Sequence, residues 1–438
     1  MRRAITSRRL TEIYLARIER FAPSLQCFVT VTAERARSEA DAADREIAAG
    51  RYRGPLHGVP YGLKDLFDAE GAPTTWGAEP YMNRGLATAD SIVARRLKSA
   101  GAVLLGKTTT GALAYGDIWF NGVTKNPFNS DEGSSGSSAG SASATAAGLI
   151  AFGIGTETLG SIVAPSHRCG TTGLRPTFGR IPRTGAMALC WSLDKVGPLC
   201  RSVLDTALVL SALNGADPSD AGSLDHGFAY AGGADARGMR VGYDPSWYED
   251  ATAYDRAAFE AARAAGADLV EVRVPKQPDN ALVQALLVEA AAAFEELTLT
   301  NQDDQLDWQD DAAWPNTFRA TRFISAIDYV QIDRVRRRVM QDMHEVFSGV
   351  EALIGPNYAG GMLTITNFTG HPQLAFRAGF ADVPARNIND EPTPGATPKR
   401  VPMASSLWAP LFEERALIRL GGAIERELGV ANERPVLN

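Results

Sequence analysis

Three segments of this chain bring together lysine, serine and glycine, the residue types that could activate a serine hydroxyl. Residues 58–65 carry Lys64 beside the apolar Leu63, where a lysine side chain would ordinarily extend towards solvent. Residues 134–138 form a serine cluster, and residues 155–162 combine glycine, threonine and serine. A serine hydroxyl attacks a carbonyl carbon well only when a base takes its proton. Nucleophilic catalysis by serine is therefore the first chemistry to consider.

Two shorter patterns offer other serine mechanisms. Residues 136–140 (GSSAG) match the GxSxG nucleophile elbow, with Ser138 as nucleophile, although an elbow must follow a strand and residues 126–132 look like a loop. Ser192 and Lys195 match the SxxK pattern of penicillin-binding proteins, but the SDN and KTG motifs that accompany it are absent. The five histidines form no HExxH motif, so nothing positive indicates a metal site. Patterns this short arise easily by chance.

Taken together with residues 169–177, the three segments resemble the signature of the amidase signature family. In outline, that signature reads GGSSGGSA, then GTDxGGS, then CGxxGLKPT. It stands here as SGSSAGSA at 135–142, GTETLGS at 155–161 and CGTTGLRPT at 169–177. The family's upstream lysine lies in a GxPxxxKD context, which residues 58–65 meet. The match is close over about residues 50–210, and it is far more specific than either short pattern.

The resemblance implies a Ser–cis-Ser–Lys triad. It assigns Ser161 as the nucleophile and Ser137, 24 positions earlier, as the serine that relays its proton. Lys64 becomes the final base, which requires burial to lower its pKa from the model-peptide value of about 10.4. The peptide bond preceding Ser137 is expected to be cis, and Ser138 is expected to support the bridge by hydrogen bonding. Lys107 is the other nearby lysine, but it follows a predicted strand outside the KD context.

Small residues before the assigned nucleophile suit an oxyanion hole made of backbone N–H groups. The candidates are the N–H groups of Thr158, Leu159 and Gly160, together with that of Ser161. Leu159 stands where the family places the first glycine of its GGS, which adds bulk and predicts a narrower acyl pocket. Val163 stands where many members place an arginine, which weakens the case for a substrate that bears a carboxylate.

Aromatic residues within or beside these segments are the candidate lining of a substrate pocket. They are Tyr61, Trp76, Tyr115, Trp119, Phe120 and Trp191. Such a lining would favour a hydrophobic or aryl substrate. The same acyl-enzyme chemistry cleaves amides, esters and carbamates, and the sequence does not choose among these bonds. We also expect a variable helical region at about residues 279–347 to shape the pocket.

Three functions remain open on these residues. The main hypothesis is a hydrolase of hydrophobic or aryl amides that takes a small-molecule substrate, needs no cofactor or metal, and works as a monomer or homodimer. The second is the amidotransferase version of the same scaffold, a subunit that hydrolyses glutamine and delivers ammonia to a partner bound on tRNA. The third is an inactive scaffold that only binds, and the intact set of Lys64, Ser137 and Ser161 argues against it.

The elements that must position these residues alternate between helix and strand. Apolar spacing and end signals predict helices near 10–21, 33–49, 253–265, 281–298 and 327–347. Short apolar runs predict strands near 102–105, 241–243, 269–274 and 352–355. The proline-rich residues 381–402 predict a long surface loop. This alternation indicates an α/β fold with a mixed, mainly parallel central sheet covered by helices on both faces, in a single domain over residues 1–438.

Composition excludes several classes of protein. The chain has 438 residues and a formal net charge of -7, which argues against binding to a nucleic acid backbone. No apolar run approaches the roughly 20 residues that span a bilayer. No apolar segment follows the basic residues 1–3, so no signal peptide is expected. The four cysteines form no CxxC pair, which favours reduced thiols in a cytoplasmic protein.

Overall fold

The computed structural model describes residues 4–230 and 232–437, so the basic residues 1–3 considered above lie outside it. Its α-helices are α1 (Ser7–Leu25), α2 (Ala33–Ala48), α3 (Ile92–Ser99), α4 (Ala139–Ala146), α5 (Val163–Cys169), α6 (Val203–Leu213), α7 (Ala253–Ala264), α8 (Asp279–Ala293), α9 (Glu295–Leu299), α10 (Trp314–Thr321), α11 (Ala326–Phe347), α12 (Met362–Thr369) and α13 (Glu414–Leu428). Short 3₁₀ helices lie at Glu79–Tyr81, Ala112–Ala114, Pro245–Tyr248, Gln302–Gln305 and Ala359–Gly361. Among these described helices, none has the length and apolar composition that a bilayer span requires.

The strands build one large sheet and two small ribbons. They are β1 (Phe28–Val31), β2 (Pro60–Lys64), β3 (Val103–Thr108), β4 (Ile118–Trp119), β5 (Gly122–Val123), β6 (Lys125–Asn126), β7 (Asn129–Gly133), β8 (Phe152–Glu157), β9 (Thr172–Arg175), β10 (Lys195–Cys200), β11 (Arg240–Tyr243), β12 (Asp268–Glu271), β13 (Ala352–Pro356), β14 (Gln373–Val383) and β15 (Lys399–Trp408). The large sheet has 11 strands in the order β1-β3-β2-β8-β10-β9-β14-β15-β13-β11-β12. The ribbons pair β4 with β5 and β6 with β7.

The predicted mixed sheet is confirmed, although parallel pairs are the smaller share. Strand β2 is parallel to both β3 and β8, and β11 is parallel to both β12 and β13. The other neighbouring pairs are antiparallel: β10, β9, β14 and β15 alternate in direction across the middle of the sheet, and β1 pairs with β3 at one edge. Two parallel groups therefore flank an antiparallel centre.

Helices cover both faces of the sheet, as expected. Helices α1, α2 and α4 pack on one face with Leu105 and Ile150, while α3, α6, α7 and α13 belong to the cluster on the other face with Leu104. Leu104 and Leu105 are neighbours in β3, and both are fully buried. Successive side chains of a strand point to opposite faces, so their burial in different clusters shows that the sheet is covered on both sides.

Three element predictions need correction. Residues 126–132, which the sequence analysis described as a loop, belong largely to the ribbon strands β6 and β7. The helix expected over 281–298 is two helices, since the backbone leaves the helical conformation at Phe294, between α8 and α9. The surface loop expected over 381–402 is shorter, because β14 continues to Val383 and β15 begins at Lys399. The two strands pair out to these residues, and that pairing accommodates Pro402 opposite Phe380. Long-range pairing thus overrides the local signal of the prolines.

The pairing of β2 with β8 brings the signature segments together. These strands are parallel, with Leu63 opposite Ile154, so their carboxyl ends meet at one edge of the sheet. Helix α4 comes before β8 in the chain and packs against it, which returns residues 137–138 to that same edge. Helix α5 begins at Val163, two residues after Ser161. Ligand sites in sheets of this kind form at the carboxyl ends of parallel strands.

Candidate active site

Lys64 is the last residue of β2, and its side chain is completely buried. Its Nζ lies 2.8 Å from Ser137 Oγ, 2.8 Å from Thr156 Oγ1 and 3.2 Å from Ser138 Oγ. Burial lowers the pKa of Lys64 from 10.5 to about 7, although the carboxylate of Asp194 opposes that shift. A substantial fraction of this lysine is therefore an uncharged amine at neutral pH. Its lone pair can accept a proton from the Ser137 hydroxyl.

Ser137 and Ser138 lie just before α4, and both are fully buried. The peptide bond between Gly136 and Ser137 is cis. A Cβ at Gly136 would lie 1.8 Å from the carbonyl oxygen of Gly116, so only glycine fits beside the bond. The Ser138 hydroxyl donates to the Thr156 carbonyl at 3.0 Å and accepts from the Thr156 N–H at 3.1 Å. Ser138 thus ties the serine cluster to β8.

Ser161 lies in the loop between β8 and α5, two residues before the helix begins, and is 8% exposed. Its carbonyl accepts a 3.0 Å hydrogen bond from the N–H of Ser138, which holds the backbone of Ser161 against the serine cluster. The N–H of Ile162 donates to Glu157 Oε2 at 2.8 Å, and Glu157 forms a fully buried ion pair with Arg175 at 2.7 Å. These contacts fix the start of α5 and the residue that precedes it.

The loop before Ser161 presents several unused backbone donors. Across residues 4–230 and 232–437, the N–H groups of Thr158, Leu159, Gly160 and Ser161 donate to no other protein group. Gly160 has a φ of +90°, a conformation that a side chain would strain. The Thr158 hydroxyl donates to Asp194 Oδ1 at 2.6 Å and anchors the other end of the loop. The loop is therefore held at both ends while its N–H groups stay free.

Comparison with known proteins decides the family. The family described as Amidase matches residues 9–385 of this chain. The chain belongs to the amidase family. The resemblance seen in the signature segments is thereby confirmed.

Relatives of this amidase-family chain include a component of an amidotransferase and enzymes with other names. The A component of the glutamyl-tRNA(Gln) amidotransferase of Anaeromyxobacter dehalogenans (strain 2CP-C) is 34% identical over 466 residues, covering 98% of this chain and 94% of the relative. The native peptide amidase from Stenotrophomonas maltophilia has a TM-score of 0.84 at 29% identity, covering 99% of this chain and 96% of that one. An s-triazine catabolic enzyme, described with a vestigial protein complex, has a TM-score of 0.82 at 29% identity, covering 99% and 97%. These likenesses confirm the predicted fold.

Two polar residues of this amidase site were not predicted from sequence. The Thr156 hydroxyl contacts the Lys64 amine, and the available signal was a polar residue on an otherwise apolar strand. Asp194 accepts hydrogen bonds from the N–H groups of Leu189 and Cys190 at 2.8 and 3.0 Å. Burial raises the pKa of the Asp194 carboxyl. Asp194 therefore links the loop before Ser161, through Thr158, to residues 189–190. The local sequence does not reveal this contact.

The alternative serine and lysine patterns do not assemble into sites. Ser138 is buried and hydrogen-bonded, whereas an elbow nucleophile must be accessible. Ser192 donates to Glu289 at 2.5 Å, and Lys195 Nζ bonds to the carbonyl of Leu193. In the described part of the chain, no group of three His, Cys, Asp or Glu residues could hold a metal ion.

Lys107, the other candidate base, is committed to an ion pair. Its Nζ lies 2.8 Å from Asp65 Oδ1, and both side chains are fully buried. It also donates to the Thr74 hydroxyl at 3.0 Å. The contacts of Lys107 Nζ are thus with Asp65, Thr74 and the Pro73 carbonyl rather than with the serine cluster, so Lys107 is not placed to act as the base.

One predicted aromatic residue lines the cavity beside residues 158–161, the loop that we call the signature loop. This cavity has a volume of about 460 Å³ and is lined by residues that include Thr156, Thr158, Met187 and Trp191. Such a volume suits a small organic substrate. Trp191 is half exposed at the cavity.

The structure places the other predicted aromatic residues away from this lining. Trp76 packs on Tyr81 and Phe294; Tyr115 packs on Trp308 and Trp314; Trp119 packs on Phe120. Tyr61 is 1% exposed and stacks on Phe152 in the core. It lies three residues before Lys64 in β2, and strand alternation turns the two side chains to opposite faces of the sheet. Of the predicted substrate-binding residues, only Trp191 is thus brought to this cavity with Thr158.

Proposed function

We propose that this chain hydrolyses a carbon–nitrogen amide bond through an acyl-enzyme formed on Ser161. The observation that carries the proposal is a fully buried lysine amine 2.8 Å from the Ser137 hydroxyl. The backbone hydrogen bond from the Ser138 N–H to the Ser161 carbonyl supports the proposal, because it holds the backbone of Ser161 next to the serine cluster. The likeness to a peptide amidase supports the same class of reaction.

In the acylation step Ser161 attacks the substrate, Ser137 relays the proton and Lys64 accepts it. Ser161 Oγ forms a bond to the carbonyl carbon of the substrate while its proton passes to Ser137, whose own proton passes to Lys64. The negative charge that develops on the carbonyl oxygen is stabilised by the free N–H groups of residues 158–160, and each such donor is worth about 3 kcal/mol. The carbon–nitrogen bond then breaks. The proton on Lys64 returns through Ser137 to the leaving amine.

Deacylation repeats the same proton path with water. Water attacks the acyl carbon as its proton moves through Ser137 to Lys64. The bond to Ser161 Oγ breaks, the carboxylic acid leaves, and the proton returns to the serine. The chain is restored without any oxidant, reductant or added group.

The rate is expected to rise with pH through about 7. Lys64 acts as a base only when it is uncharged, and burial sets its pKa at about 7. Below that pH, kcat/KM should fall about tenfold for each unit, and above it the rate should reach a plateau. Initial rates on one amide from pH 5 to 9 measure this. A profile erased by His57→Ala or His167→Ala would instead indicate a histidine base.

Hydrophobic or aryl amides are the substrates that the cavity favours. The apolar part of its lining is made by Leu66, Met187, Leu189 and Trp191. Charged residues also line it, and among them Arg183 is paired with Asp220 at 3.0 Å. Val163 is fully buried where many members place an arginine, so no guanidinium at that position can pair with a substrate carboxylate. Esters and carbamates fit the same acyl-enzyme chemistry and are further candidates.

A glutamine-hydrolysing component of an amidotransferase is the second candidate. It is favoured by the relative from Anaeromyxobacter dehalogenans, which bears the name of such a component and is 34% identical over 98% of this chain. In that case the ammonia released by the acylation step would pass to a partner. The chemistry on Ser161 would be the same, and the substrate and the need for a partner would differ.

Hydrolysis by the isolated chain separates the two candidates. We expect faster turnover of aryl amides and peptide amides than of glutamine, measured as amine or ammonia release under one set of conditions. Glutamine turnover that exceeds all other amides, or that appears only when a partner protein is added, would establish the amidotransferase function instead. Matched esters and carbamates in the same panel define which bonds are cleaved.

A further inference from the structure

Trp191 lines both the cavity beside residues 156–158 and a second cavity. Its side chain is part of both linings, and the residue is 52% exposed. The second cavity has a volume of about 550 Å³ and is lined by Trp191, Ser192, Val288, Glu289, Ala292 and Tyr329. Val288, Glu289 and Ala292 lie on α8, and Tyr329 lies on α11. We call this second space the outer cavity.

The backbone that carries Trp191 is held from three directions. The Trp191 carbonyl accepts from Arg183 at 2.7 Å. The next N–H, that of Ser192, donates to Glu289 at 3.0 Å, and the Ser192 carbonyl accepts from Arg336 at 3.0 Å. The exposed indole therefore stands on an ordered loop. Binding an apolar group against it costs little further ordering, which is what makes a rigid aromatic side chain an effective contact.

Glu289 is the acidic residue among the described residues that line the outer cavity. The residue is 8% exposed, and its carboxylate accepts bonds from the Ser192 hydroxyl at 2.5 Å and the Tyr329 hydroxyl at 3.3 Å. Within the described residues, no lysine or arginine lines this cavity. Its other walls are the apolar Val288 and Ala292 and the rings of Trp191 and Tyr329. These walls suit an uncharged apolar group, and the described lining offers no cationic side chain to pair with an anionic one.

We propose that the outer cavity is a second binding subsite for an uncharged apolar group at the far end of the substrate. Thr158, three residues before Ser161, lines the first cavity, and Trp191 lines both cavities. A substrate whose reacting carbon lies at Ser161 and whose body fills the first cavity therefore reaches the outer cavity past the indole. The inference rests on the proposed function, since it needs the acyl-enzyme site at Ser161. Helices α8 and α11 then serve to select substrates by their remote end.

Labelling with sulfonyl fluorides of two lengths tests the subsite. In this reaction a bond forms between Ser161 Oγ and sulfur, the sulfur–fluorine bond breaks, fluoride leaves, and the serine proton passes towards Lys64. Methanesulfonyl fluoride is the short probe and 4-phenylbutanesulfonyl fluoride is the long one. In Trp191→Ala, the ratio of long-probe to short-probe labelling rates should fall about tenfold, as expected for loss of an aromatic contact. Trp191→Phe should retain most of that ratio.

A matched control and a charged probe complete the experiment. Phe323 is 90% exposed and lines neither cavity, so Phe323→Ala should leave the ratio unchanged. A long probe that ends in a carboxylate should label more slowly than the phenyl probe. An unchanged ratio in Trp191→Ala, or a preference for the carboxylate probe, overturns the subsite while the proposed function stands. Failure of both neutral probes to label the wild-type chain overturns the proposed function itself.

Discussion

Replacing Ser161 with alanine should reduce the turnover of every substrate by on the order of 10⁴-fold or more. The substitution removes the only atom that forms a bond to the acyl group, and it leaves Lys64 and Ser137 without a proton to transfer. Ser161 is 8% exposed and its structural hydrogen bond is made by the backbone carbonyl, so the fold should persist. Rates on an amide and the intact mass after treatment with a fluorophosphonate measure the loss.

Two serines of the cluster at residues 134–138 serve to test whether the loss is specific to Ser161. Ser134 belongs to the same cluster, but its hydroxyl donates to the carbonyl of Ser135 at 2.9 Å and lies outside the proposed proton path. Ser134→Ala should therefore still be labelled at Ser161. Acylation retained in Ser161→Ala and mapped to Ser138 would contradict the mechanism and favour the nucleophile elbow.

Replacing Lys64 with methionine should lower kcat by about 10²- to 10⁴-fold, the usual contribution of a general base. Methionine has a similar length and is apolar, so it should fill the space without a buried charge. The rise of the rate through about pH 7 should disappear with the amine. A variant that keeps this pH dependence would show that another group titrates.

The free energy of unfolding should rise more with pH in the wild-type chain than in Lys64→Met. Burial lowers the pKa of Lys64 to about 7 in the folded chain from 10.5. Between these values the unfolded chain binds the proton and the folded chain does not, so wild-type stability should rise with pH relative to Lys64→Met. Denaturant unfolding of both proteins at pH 7 and pH 10 measures the difference. A difference in the opposite direction would show that the buried amine is charged.

Lys107 provides the contrasting lysine. Lys107→Met breaks a fully buried ion pair and leaves Asp65 without its partner, which should cost about 3–5 kcal/mol of stability. Thermal unfolding should therefore separate the variants, with a marked loss for Lys107→Met and little for Lys64→Met. Equal losses would mean that both ammonium groups are needed for folding and that Lys64 is not a neutral base.

The catalytic candidates were predictable because the signature spacing is local. Ser137, Ser161 and Lys64 each lie within a short motif, and the structure brings Lys64 against Ser137 as the resemblance implied. Thr156 and Asp194 were not predicted, although they contact the same groups. Their role depends on which face of a strand or loop meets the amine and the Thr158 hydroxyl, and that is set by packing between segments.

The aromatic candidates show what local spacing leaves undetermined. Tyr61 lies three positions from Lys64, yet strand alternation sends it into the core against Phe152. Trp191 was one of six aromatic candidates in the sequence analysis. The loop that carries it is held by Glu289, which lies 97 positions from Ser192 and bonds to it. A contact at that separation has no trace in local spacing.

Short contiguous motifs were enough to assign the family, the α/β class and the candidate lysine and serines, because glycine, serine and turn requirements are local. The packing of distant segments was needed to show that the Lys64 amine is desolvated among hydroxyls while Lys107 is neutralised by Asp65. The physical reason is that solvent exclusion and charge pairing are properties of the surrounding space. Lys64 and Ser137 lie 73 positions apart, and only the parallel pairing of β2 with β8 and the return of α4 place them 2.8 Å from each other.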